Sequence, residues 1–163
     1  MQRLLWLALI LFVLPNLSFA MPKFLFDEFE RELMWRVEHG TKYVWGGHDS
    51  EGADCSGLIT DAAEDTGLFG IQRTTAKRMY EGKEGWGAVL GPVKEGHESH
   101  LDLVWFTFKK ERPLGHIGVV FIKEKDIPMI LHASSSAGKV VKVPPNKYMA
   151  DHIIGFKRFI VGD

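Results

Sequence analysis

The chain has 163 residues, 45% of them hydrophobic and 25% charged, with 20 basic side chains against 21 acidic ones. That balance supplies no basic stripe for nucleic acid and no cationic patch for an anionic membrane. Its one cysteine, Cys55, has no disulfide partner within the chain. The first predicted element is a leader. Residues 1–20, MQRLLWLALILFVLPNLSFA, join Arg3 to an apolar run from Leu4 to Leu14, a Pro15 breaker and a small-x-small site at Ser18-Phe19-Ala20. This pattern predicts a cleavable signal peptide and a secreted or periplasmic protein, because the run is shorter than the about 20 apolar residues a membrane span needs. A translation start at Met21 is the alternative. Either way one domain is expected over residues 21–163, acting as a monomer and without membrane contact once the leader is gone.

From residue 22 to 39 the apolar positions Phe26, Phe29, Leu33, Met34 and Val37 recur at helical spacing, with Pro22 suited to the first turn and Gly40 to the C-terminal cap. After a glycine-rich loop, a second helix is expected over 55–65. Asp54 is its N-cap, Gly67 its stop, and Leu58, Ile59, Ala62 and Ala63 form its apolar face. A short helix over 75–80, capped by Thr74, precedes a weakly patterned, glycine-rich stretch from Gly82 to His100. Then the pattern turns to strands over 103–108, 116–122, 129–134, 139–143 and 153–160. Short polar loops such as KKERPLG predict antiparallel neighbours, and the class is α+β.

Cys55 falls in the first turn of its helix, where unpaired backbone N–H groups and the helix dipole favour a thiolate. A buried structural cysteine is the competing reading. Three features point toward chemistry: Gly46-Gly47 and Gly57, which let backbone pass close to a ligand; Asp54 at the cap; and a leader that would carry a free thiol into an oxidising compartment. A thiol nucleophile needs a base, and histidine fits by its pKa. His116 opens one predicted strand and His132 lies inside the next, so neighbouring strands would bring both rings to one cleft, His116 as base and His132 as its orienting group. For His132 a core histidine satisfied by backbone remains the alternative. His97 and His100 have a spacing a metal could use, but Gly96 and the polar surroundings favour a solvated loop. His39, His48 and His152 lack an evident partner.

Five ordered blocks carry a resemblance: YVWGG (43–47), DCSGL (54–58), DLVWF (102–106), HIGVVF (116–121) and LHAS (131–134). Together they resemble the NlpC family of bacterial cell-wall cysteine endopeptidases. The resemblance implies a papain-like α+β domain, with an antiparallel sheet and the nucleophile at the N-terminus of a packed helix. It implies Cys55, His116 and His132 as the catalytic triad, Tyr43 beside the oxyanion site, Asp54 and Ser56 in the cleft, and no metal or other cofactor. The implied substrate is the peptidoglycan stem peptide, cut between D-γ-glutamyl and the diamino acid that follows. Ala53 stands where the family has a bulky residue, His100-Leu101 where it has Pro-Gly, and QRTTAKRMY only loosely matches its Arg-Thr-Ser segment. These departures concern substrate preference. An amidase, acyltransferase or antibacterial effector on the same scaffold, an idle wall-binding module, and a zinc site of Cys55, His116 and His132 are the alternatives.

Overall fold

The computed structural model describes residues 24–68, 70–122 and 127–160, so the leader and its cleavage site lie outside the described residues. Helix α1, Phe24–Glu38, buries Phe29 and Leu33 and ends at Gly40, whose φ of +67° lets the chain reverse. Strands β1 (Lys42–Tyr43) and β2 (Gly52–Ala53) flank a tight loop, and helix α2 follows at Cys55–Asp65. The expected Asp54 cap is present, its carboxylate accepting the Gly57 N–H at 2.7 Å. α2 is the central helix. Leu58, Ile59, Ala62 and Ala63 are fully buried against α1 and the sheet.

The described sheet has eight strands in the order β2-β1-β7-β6-β5-β4-β8-β3. The remaining strands are β3 (Leu90–Val93), β4 (Leu103–Phe106), β5 (His116–Phe121), β6 (Met129–Ser134), β7 (Lys139–Val143) and β8 (Ile153–Phe159). Among the described pairs only the short β1–β2 pair is parallel, so the antiparallel expectation holds for the main strands. Alternation splits each strand between two cores. Leu103, Trp105, Ile117, Val119, Leu131 and Ala133 share one core with residues of α1, α2 and the 76–80 helix, whereas Val104, Phe106, Val120, Ile130 and Met149 pack together on the reverse face.

Several details differ from the expectations drawn from the sequence. Helix α3 runs Ala76–Tyr80 and is capped by Thr75, not Thr74, since the Thr75 hydroxyl reaches the Arg78 N–H. β4 stops at Phe106, where its register with β8 shifts, and Thr107 turns its hydroxyl to the Leu114 N–H of the following loop. The stretch 82–100 contains helix α4 (Trp86–Val89) and β3, and a further short helix, α5, spans Lys147–Ala150. No helix among the described residues is long and apolar enough to cross a membrane.

Two arginines tie these layers together. Arg36 of α1, 1% exposed, binds Glu32 at 2.9 Å and reaches across to Asp61 and Asp65 of α2. Arg158 of β8 makes a two-pronged contact at 2.7 and 2.8 Å with Asp102, whose carboxylate is fully buried just before β4.

Candidate active site

Cys55 sits at the first position of α2, buried beside the start of β5. Its thiol lies 4.0 Å from the carbonyl oxygen of Gly115, the residue just before His116. Burial pushes the thiol up to about 11. The neighbouring Asp54 carboxylate adds to this, and the Ile117 and Ser56 N–H groups and Arg73 pull the other way without cancelling it. The helix start alone therefore does not make a thiolate here: removal from water outweighs the N–H groups.

His116 and His132 meet. His116 Nε2 lies 2.8 Å from His132 Nδ1, with the two rings perpendicular. Their strands pair antiparallel through Val119 opposite Leu131, and continuing that register sets Gly118 opposite His132, one diagonal step from His116. A Cβ at Gly118 would stand 3.3 Å from His132 Cβ and 3.1 Å from the Leu131 carbonyl, so this glycine keeps the space beside His132 clear. Burial pushes His116 down to about 3, with His132 reinforcing the shift, and pushes His132 down to about 4. Both rings are neutral at pH 7. Tyr43, half-buried in β1, shares a cavity of about 150 Å³ with Cys55 and His116, and burial followed by the proximity of Cys55 and Asp54 raises its hydroxyl.

The NlpC/P60 family model matches residues 40–158, most of the chain. The chain belongs to the NlpC/P60 family. The α+β domain is the papain-like one, and membership supports a hydrolase of the cysteine-peptidase type. Solved structures with this fold include a Staphylococcus aureus protein described as similar to a lipoprotein of the NLP/P60 family. That structure is 20% identical, with a TM-score of 0.63, over 88% of this chain and 44% of its own. The peptidoglycan hydrolase RipB from Mycobacterium tuberculosis is 23% identical, with a TM-score of 0.58, over 88% of this chain and 70% of its own. The P60 domain of an antigen from M. avium subspecies paratuberculosis is 21% identical, with a TM-score of 0.59, over 85% of this chain and 96% of its own. The chain thus spans less than half of the staphylococcal protein. Comparison with curated protein sequences found no match.

In this NlpC/P60 domain Asp54 and Ser56 belong to a hydrogen-bonded network on either side of Cys55. Arg73 Nη2 bonds both Asp54 oxygens at 2.8 and 2.7 Å, Arg73 Nη1 donates to Ser56 Oγ at 2.9 Å, and Ser56 Oγ donates to Asp54 at 3.1 Å. Asp54 also accepts the Gly46 N–H at 3.0 Å, which fixes the loop ahead of the helix. In the sequence Arg73 lies in QRTTAKRMY, the segment that loosely matches the family's Arg-Thr-Ser, but nothing local to that segment names Asp54 as its partner. A Cβ on Gly57 would lie 1.9 Å from the Gly47 carbonyl oxygen, so this glycine allows a close approach between two parts of the chain.

The other histidines have structural partners away from the thiol. His100 bonds Glu30 at 3.1 Å and accepts the Ile122 N–H at 3.2 Å, joining α1 to the end of β5. His39 and His152 bond backbone carbonyls four residues earlier, and exposed His48 forms a β-bridge with Ala53. The His97 carbonyl accepts from Arg158. Among the described residues no three His, Cys, Asp or Glu side chains are grouped to hold a metal ion.

Proposed function

We propose that the protein is a cysteine endopeptidase of peptidoglycan stem peptides that cuts the bond between D-γ-glutamyl and the following diamino acid. Cys55 is the nucleophile, His116 the base and His132 the group that orients it. The observation that carries this reading is the 2.8 Å contact between His116 Nε2 and His132 Nδ1, with the Cys55 thiol 4.0 Å from the carbonyl of Gly115, the residue before His116. Family membership and the likeness to RipB, a peptidoglycan hydrolase, support the choice of polymer.

The contact dictates the tautomers. With Nε2 of His116 occupied by His132, Nδ1 is the nitrogen left for the thiol. His116 then carries its proton on Nε2 and donates it to His132 Nδ1, while His132 carries its own on Nε2. Neutral His132 suits the acceptor role. As substrate arrives, the thiol proton moves to His116 Nδ1 while Sγ forms a bond to the peptide carbonyl carbon. The oxyanion is held by backbone N–H at the start of α2 and by the Tyr43 hydroxyl. Collapse breaks the C–N bond, and the amine leaves with the proton from His116. Water, deprotonated by His116, then splits the thioester and restores the thiol. Exporting the chain through residues 1–20 as a monomeric domain would bring this chemistry to the cell wall.

The test is digestion of purified peptidoglycan by the protein and by its Cys55→Ala variant, with fragments identified by mass spectrometry. Fragments ending at γ-glutamyl, from the wild type alone, are expected. An active, folded Cys55→Ala protein overturns the nucleophile, and fragments cut elsewhere overturn the bond.

A further inference from the structure

The mechanism leaves a pair of large side chains at the cleft without a role. Trp45, between β1 and β2, is 67% exposed, and the Arg112 guanidinium from the β4–β5 loop lies over its ring, 4.4 Å from the centroid. Both residues border two cavities that meet at Cys55. One is the cavity of about 150 Å³ that holds Tyr43 and His116; the other, of about 320 Å³, runs from Cys55 past Ser56 and Arg73 to Lys77. The charge of Arg112 also reaches the Tyr43 hydroxyl, where it opposes the upward shift. The stacked pair therefore stands at the junction of the cavities, beside the reacting atoms.

The charge around the larger cavity favours an anion. Asp54 and Arg73 neutralise each other. What remains is Arg112 and Lys77 against the exposed Glu111, and Lys77 pairs only loosely with Glu81, at 3.8 Å. A guanidinium seated over an aromatic ring can still present N–H groups for two parallel bonds to a carboxylate. Contact with Trp45, 4.4 Å from the ring centroid, restricts where the Arg112 charge lies and so lowers the entropy lost when it closes on a ligand.

We propose that Arg112, stacked on Trp45, is a carboxylate-binding site that reads the free α-carboxylate of the γ-linked glutamyl residue in the larger cavity, with Lys77 as a second cation. The assignment rests on the stem-peptide reading above and deepens it. A γ-linkage engages the side-chain carboxyl and leaves the α-carboxylate free, whereas an ordinary α-linked residue has no anion at that place. Arg112 thereby selects the linkage while Cys55 and His116 perform the hydrolysis.

The test compares L-Ala-γ-D-Glu-diaminopimelate with the same peptide carrying an α-carboxamide on the glutamyl residue. In hydrolysis, amidation should lower kcat/KM of the wild type by about 10- to 100-fold, the worth of a charge-assisted hydrogen bond. Arg112→Gln should be slow on both peptides with no preference, and Arg112→Lys should recover part of it. Calorimetric binding of both peptides to Cys55→Ala and to Cys55→Ala/Arg112→Gln separates this inference from the reading it rests on. If the wild type cleaves neither peptide, the proposed function fails, and a carboxylate preference in binding that vanishes with Arg112 still upholds the site. A preference that survives Arg112→Gln, or no preference by either measurement, overturns it.

Discussion

Replacing Arg73 with leucine isolates the network around Asp54, the residue before Cys55. The Asp54 side chain is 10% exposed and Arg73 24%, so both charges are largely removed from water. Breaking a buried pair by deleting one partner costs about 3–5 kcal/mol, because the other charge stays buried without its counterion. Asp54 would keep the Gly46 and Gly57 N–H groups and the Ser56 hydroxyl, which places the expected loss near the bottom of that range, about 3 kcal/mol. In urea unfolding this appears as a lower midpoint at an unchanged slope, and in thermal unfolding as a Tm roughly 10 °C lower for a domain of this size. A cycle with Asp54→Asn and the double variant should give a coupling of about 2 kcal/mol or more. A loss under about 1 kcal/mol, or additive effects, would show that backbone donors alone hold Asp54, and the account of Arg73 would be wrong.

Gly57→Ala should be among the most disruptive small substitutions, since its Cβ would meet the Gly47 carbonyl at 1.9 Å and must push the 43–48 loop off α2. A stability loss of about 3 kcal/mol in urea unfolding is expected, and a variant as stable as wild type would refute the contact. The histidine pair makes stability depend on pH. Both folded values, about 3 and about 4, lie below the ordinary 6.5, so the unfolded chain binds more protons between pH 6.5 and 4 and stability falls as pH falls through that window. The slope should approach about 1.4 kcal/mol per pH unit for each histidine, and His132→Gln should reduce it; an unchanged slope would refute the assignment. Alkylation of Cys55 by iodoacetamide should accelerate up to about pH 11, because burial raises the thiol. A rate already level from pH 5 upward would mean that the free protein holds a thiolate paired with His116 in its charged form.

The α2 helix is legible in the sequence because its determinants are local: a capping carboxylate at Asp54, an apolar face repeating at helical spacing, and a glycine at Gly67 with φ of +84°. The central strands are legible from runs of branched and aromatic residues such as HIGVVF, which suit a sheet buried on both faces. The two-residue strands β1 and β2, the edge strand β3 and the four-residue helices α4 and α5 are not. Segments this short have no periodicity of their own, and their conformation follows from what they pair with.

The candidate site divides in the same way. By itself the sequence determined the family signature, the position of Cys55 at a capped helix start, and the placing of His116 and His132 on successive strands. Local propensity and motif order are sufficient for those. Only the tertiary structure decided that the histidine rings touch across one diagonal of the sheet, that Arg73 clasps Asp54, and that Gly57 yields to the Gly47 carbonyl. It also decided that Arg112 stacks on Trp45. Each of these is a contact between segments separated along the chain, set by strand register and helix packing. The protonation of the thiol was decided there too, because burial is a property of the whole fold, and here it outweighs the helix terminus that the local sequence shows.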